Sequence, residues 1–216
     1  MRAASGNVRM VEQYDVSARA YLRRARELMH AGSPAAKFHA AFELRAGLEA
    51  RIAEYLAVWD HVSAAAKKEW RIKSLDHQAK KAFSNNSSVG DFTFFINDVS
   101  ARLLYTPVRA GGRQAVSRLG YYLHAQRQTR DLNDPWWTDF SALLVEAEAE
   151  LAFAVSGTLL GPVLGSQGNL ADVRSEVLED QPLPFRFEPG ANFIVKVDYH
   201  PASDFEIPPD AYAWRG

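Results

Sequence analysis

A chain of 216 residues that is 47% hydrophobic and 24% charged is long enough to bury a sizeable core and has the make-up of an ordinary globular protein. The absence of cysteine excludes a disulfide framework and a thiolate metal site, and suits a reducing cytoplasm. The net charge of -1 conceals a split: residues 62–130 hold 12 Lys and Arg against 4 Asp and Glu, whereas residues 131–216 hold 4 against 15.

That split implies either a polyanion-binding middle or an acidic half that folds back to neutralise it. Residues 101–130 alone contain six arginines and no acidic residue. No window approaches the roughly 18 consecutive apolar residues of a membrane span. The opening stretch MRAASGNVRMVEQYDVSARAYLRRARE lacks the apolar run of a secretory signal. The expectation is a cytoplasmic chain with no membrane partner.

Val11, Tyr14, Ala18, Tyr21, Leu22, Ala25, Leu28 and Met29 recur at helical spacing and predict a first helix over about residues 10–30, with Gly32 as its C-terminal cap. Ser33-Pro34 then starts a second helix on which Phe38, Ala41, Phe42, Leu48, Ile52, Tyr55 and Leu56 run to about residue 58. The two should form an antiparallel hairpin. Residues 62–83 are basic and weakly periodic, compatible with helix or strand, and SNNSSVG reads as a loop. Asp91 can cap a third helix with the stripe Phe92, Phe95, Ile96, Val99 and Leu103, ending before Pro107.

After the RAGG turn at 109–112, Ala115, Val116, Leu119, Tyr122 and Leu123 mark a helix that carries RLGYYLHAQ, residues 118–126. NDPWW supplies a further start, with Asp134 as cap and Pro135 at the first helical position, followed by Trp136, Phe140, Leu143, Leu144, Ala147, Leu151 and Val155. Seven of the ten prolines lie from 162 onward. There FRFEPGANFIVKVDYH reads as a β-hairpin turning at Pro189-Gly190. The expected fold is mainly α: a bundle of four to six helices over residues 1–160, then a loop-rich tail over 161–216 whose small antiparallel hairpin packs on the bundle.

The phosphate loop, the zinc-binding H-E-x-x-H helix, the nucleophile elbow and the dinucleotide fingerprint are all missing, and no cofactor or metal site is implied. Glu146 and Glu150, one turn apart in VEAEAEL, read as a solvated helix face. Asp198 and His200 share one strand face but have no evident further ligand, so they read as surface residues. Arg45 falls on the apolar stripe of the second helix with Glu49 one turn on. A charge there needs a partner, which makes the two a structural pair or orienting groups for a site between helices.

The segment AAFELRAGLEARIAEYL on the second helix, together with an Arg-x5-His on a late helix, resembles the HEPN superfamily of prokaryotic helical-bundle proteins. An arginine followed after four to six residues by a histidine occurs four times in the chain, but only Arg118 and His124 lie late in the bundle within the all-arginine stretch. The resemblance implies a homodimeric, metal-independent endoribonuclease, or an RNA-binding relative, of a bacterial defence or toxin–antitoxin module with a cognate protein partner. His124 would then act as general acid or base, and Arg118 would stabilise the charge on the pentavalent phosphate. Arg113, Arg127 and Arg130 would hold the RNA backbone. Two rival readings are a non-catalytic interaction protein with an acidic tail and a small-molecule pocket near Arg45 and Glu49.

Overall fold

The computed structural model describes residues 14–69, 71–83, 87–96, 99–126, 128–161, 175–176, 194–208 and 214–215. Helix α1 (Ala18–Ala31) starts where the Ser17 hydroxyl accepts the Ala20 N–H at 3.2 Å, so it begins later than the periodicity predicts. Residues 14–16 are not helical, and 10–13 lie outside the described residues. Gly32 closes α1 in the left-handed region, φ 67°, and its N–H returns to the Leu28 carbonyl. Helix α2 (Pro34–Ala57) has the expected Ser33 cap and Pro34 first turn.

The two helices run antiparallel, as expected. The Ala18 N–H reaches Glu54 near the end of α2, Arg24 pairs with Glu43 at 2.7 Å, and Tyr21 packs at Gly47. Gly47 is required by close approach: a Cβ there would lie 2.5 Å from Leu151 Cδ2 and 3.0 Å from Tyr21 Cβ. Helix α2 is the central element, packed against α1, α4 (Ile72–Ala82), α5 (Ala110–Leu123) and α6 (Trp136–Ala154). The ambiguous stretch 62–83 is thus helical, as the short α3 (Ala64–Lys67) and α4.

Residues 91–96 and 99–103 are not a helix. They belong to a β-hairpin of β1 (Ser88–Ile96) and β2 (Val99–Tyr105), with Phe92 opposite Leu103 and Phe94 opposite Ala101. The run DFTFFI satisfies both a helical and an alternating pattern, and the aromatic and β-branched content decides for strand. Phe92 and Phe94 are fully buried, whereas Phe95, which the helical stripe would put inside, is 42% exposed.

From the tail, β3 (Ile194–Pro201) joins the sheet antiparallel to β1, with Val197 opposite Phe92. The two-residue β4 (Trp214–Arg215) borders β2, giving the order β3-β1-β2-β4. The strand predicted at the end of the tail therefore exists, but its described partner is β1. The predicted first strand and the Pro189-Gly190 turn lie outside the described residues. One sheet face, with Phe92, Phe94, Leu103, Tyr105 and Val197, joins the core formed with the helices, where Tyr105 meets Tyr55 of α2 at 5.2 Å.

Helix α6 starts one residue later than predicted, with Pro135 and not Asp134 at its N-cap position, and ends at Ala154; Asp134 just ahead accepts the Trp136 N–H on Oδ1 at 2.9 Å. Its end is held by Arg51, which is fully buried. The Arg51 guanidinium donates to the Tyr55 hydroxyl, to the Ala154 and Gly157 carbonyls, and to Glu54 and Glu176. Burial works against its charge, but Tyr55, Glu176 and Glu54 more than offset this and raise its pKa. Burial pushes the Tyr55 hydroxyl up to about 12, so it stays a neutral donor, here to the Thr106 carbonyl. No helix of the described residues is long and apolar enough to cross a membrane.

Candidate nucleic-acid interface

Leu48 of α2, Leu75 of α4, and Val116 and Leu119 of α5 are all buried in one cluster, which draws these three helices together and leaves their outer edges around a groove of about 770 Å³. From α2 it takes Arg45 and Glu49, from the start of α4 Arg71 and Lys73, and from the end of α5 Tyr121 and His124. Two arginines, a lysine and an imidazole thus line the groove with the Glu49 carboxylate, and Arg71 also lies 3.9 Å from Glu69. Tyr121 is 71% exposed and presents its ring to solvent.

Arg45 and Glu49 form the pair read from their spacing, with Arg45 Nε 3.3 Å from Glu49 Oε1 and both side chains only part-exposed. The Arg45 guanidinium passes Gly120, where a Cβ would make an ordinary van der Waals contact with Nη1 at 3.4 Å. Burial raises the Glu49 carboxyl above its ordinary value, and nearby Arg45 only partly counters this.

His124 is not within the helix, as RLGYYLHAQ suggests, but caps it in extended conformation, φ -69° and ψ 154°. The run after Leu123 offers no large apolar residue to bury, and the imidazole is left exposed. Arg118 stands on the helix and lines an adjoining groove of about 400 Å³ with Arg113, Lys73 and Asp76. Arg118 Nη1 lies 2.6 Å from Glu146. Within one chain, therefore, Arg118 and His124 line neighbouring grooves that share Ile72, Lys73 and Ser117, consistent with the roughly 120° that six helical positions place between them.

Arg113 and Arg130 are engaged within the chain. Arg113 pairs with Asp76 at 3.3 Å, while Arg130 pairs with Asp134 at 3.2 Å and stacks 4.6 Å over the Trp136 ring. Arg127 lies outside the described residues. The acidic face of α6 is less solvated than its sequence suggests: Glu146 meets Arg118, Glu148 meets Arg26 at 2.6 Å, and Glu150 holds Arg109 through two bonds of 3.1 and 3.0 Å. Asp198 pairs with Lys196 at 3.0 Å, and His200 packs on Phe205. Among the described residues no three His, Asp or Glu side chains are grouped to hold a metal ion.

Reading the chain alone misses Arg71, Lys73 and Tyr121. Their only signal is the basic alternation around Trp70 and Ile72, which gains meaning once α4 is known to pack beside α5. No family model matches the chain, and no curated protein and no solved structure is found that is similar to it.

Proposed function

We propose that this chain is a cytoplasmic, HEPN-like RNA-binding protein that cleaves RNA without a metal ion, as part of a bacterial defence or toxin–antitoxin module. The observation that carries this reading is the groove between α2, α4 and α5, in which Arg45, Arg71, Lys73 and His124 surround an exposed tyrosine. Clustered cations hold a phosphate backbone, and an aromatic face stacks on an unpaired base. An imidazole is the side chain that exchanges a proton near neutrality, which suits His124 for acid–base work on the ribose 2′-hydroxyl or the leaving 5′-oxygen. In the homodimer that the resemblance implies, the Arg118 of a second copy would stabilise the charge on the pentavalent phosphate.

The test is incubation of purified protein with total RNA in the presence of chelator, beside the His124→Ala variant. Cleavage by the parent and a loss of about 10²-fold or more in the variant is the expected result. Intact RNA with the parent would overturn the cleaving reading. A second reading, an interaction protein with no catalysis, is favoured by one observation: the acidic α6 already covers Arg109 and Arg118 of the basic stretch. In that case the groove binds no RNA either.

A further inference from the structure

We infer that cleavage in this groove is run by a carboxylate–imidazole pair, with Glu49 of α2 as the base and His124 at the end of α5 as the acid, and with Arg45 holding the phosphate between them. The inference rests on the RNA-cleaving reading above and adds to it the group that the Arg-x5-His spacing does not supply. Displacement at phosphorus by a neighbouring 2′-oxygen is an in-line reaction that moves two protons on opposite sides of the phosphorus. One imidazole serves one of those positions in a given step, so a second titratable group is needed.

The lining of the groove narrows the choice. Arg45 and Arg71 stay protonated, and lysine and tyrosine ordinarily titrate far above neutrality. Among its described lining residues Glu49 is the one carboxylate; it stands on α2, and His124 stands at the end of α5. The Glu49 side chain is 20% exposed and is held by Arg45 at 3.3 Å. Burial also raises its carboxyl, which makes the carboxylate a stronger base than a solvated one. A plain i,i+4 surface pair of this kind contributes little to stability. Arg45 in turn is held by Glu49 and lines the same groove.

The Glu49 carboxylate takes the proton of the 2′-hydroxyl, the 2′-oxygen forms a bond to phosphorus, and the bond from phosphorus to the 5′-oxygen breaks. His124, starting as imidazolium, gives its proton to that departing oxygen. The products are a 2′,3′-cyclic phosphate and a 5′-hydroxyl, and exchange with solvent restores both groups. No electron is transferred and no co-reactant is consumed.

The sign of the pH dependence follows. The base must be ionised, so the rate rises as pH climbs through the raised Glu49 pKa; the acid must carry its proton, so the rate falls again at higher pH. The other charged and titratable groups lining the groove with the pair are Arg45, Arg71, Lys73 and Tyr121. The experiment is kcat/KM against pH in chelator on a short single-stranded RNA, for the parent, Glu49→Gln, Glu49→Asp and His124→Ala, with RNA affinity measured in parallel. Expected are a bell-shaped parent profile, loss of its acidic limb with a fall of about 10²–10⁴-fold in Glu49→Gln, and partial recovery in Glu49→Asp. RNA binding by Glu49→Gln should be no weaker than that of the parent. A parent that cleaves, with a Glu49→Gln variant that keeps both limbs and the parent rate, overturns this inference and leaves the RNA-cleaving reading standing. A parent that cleaves nothing overturns both.

Discussion

Arg51 and Arg45 lie on the same helix, and both carry charge into a stripe that otherwise reads as apolar, yet they do different work. Arg51 is fully buried against the Tyr55 ring, and its guanidinium ties α2 to the carbonyls at the end of α6 and to Glu176. Truncating it strands several buried acceptors and the carboxylates at once. The Arg51→Met variant is expected to lose about 3–5 kcal/mol of unfolding free energy, the scale for breaking a buried ion pair. Arg51→Lys should recover only part of this, because an ammonium lacks the planar fork. Urea unfolding measures both; a native midpoint in Arg51→Met would contradict the bridging role. Arg45 is legible in the sequence, because its partner Glu49 sits one turn away and the pair forms as read. Arg51 is not: its acceptors Ala154 and Gly157 are more than a hundred positions distant, and only the folded chain brings them to it.

The helices announced by their ends are the ones the sequence places well. Ser33-Pro34 and Gly32 bound α1 and α2 through local hydrogen bonds that need no tertiary partner, and Asp134 does the same for α6. The hairpin of β1 and β2 is misread because its first strand carries a run of aromatic residues compatible with two periods. Burial on both sheet faces removes the clean alternation that would have settled it: Leu104 and Val89 are as buried as Phe92. Packing also overrides propensity at Gly47. Alanine is the better helix former by about 1 kcal/mol, but the Cβ it adds would collide with Leu151 and Tyr21. Gly47→Ala is therefore expected to destabilise by about 1–3 kcal/mol in denaturant unfolding. A variant as stable as the parent or more so would show that α1 and α6 can part at little cost.

At the scale of the whole molecule, the opposed charges of the middle and the C-terminal part resolve into both of the outcomes that the sequence leaves open. Helix α6 neutralises Arg26, Arg109 and Arg118, while the groove between α2, α4 and α5 keeps a cationic lining with one carboxylate. Net charge by segment was readable; which cations the acids would cover was not, because that depends on α5 and α6 packing side by side. Lys73 is the sharpest probe of the result, since it lines both the groove of His124 and that of Arg118. Lys196, paired with Asp198 on the sheet, is its counterpart away from the groove. The most direct measurement is the affinity for single-stranded RNA across a salt series for the parent, Lys73→Ala and Lys196→Ala. Binding that weakens in Lys73→Ala, with the slope of log affinity against log salt reduced by about 0.7 and Lys196→Ala unchanged, is the predicted result. Absent binding by the parent, or equal loss in the two variants, would contradict the assignment of the groove as the RNA site.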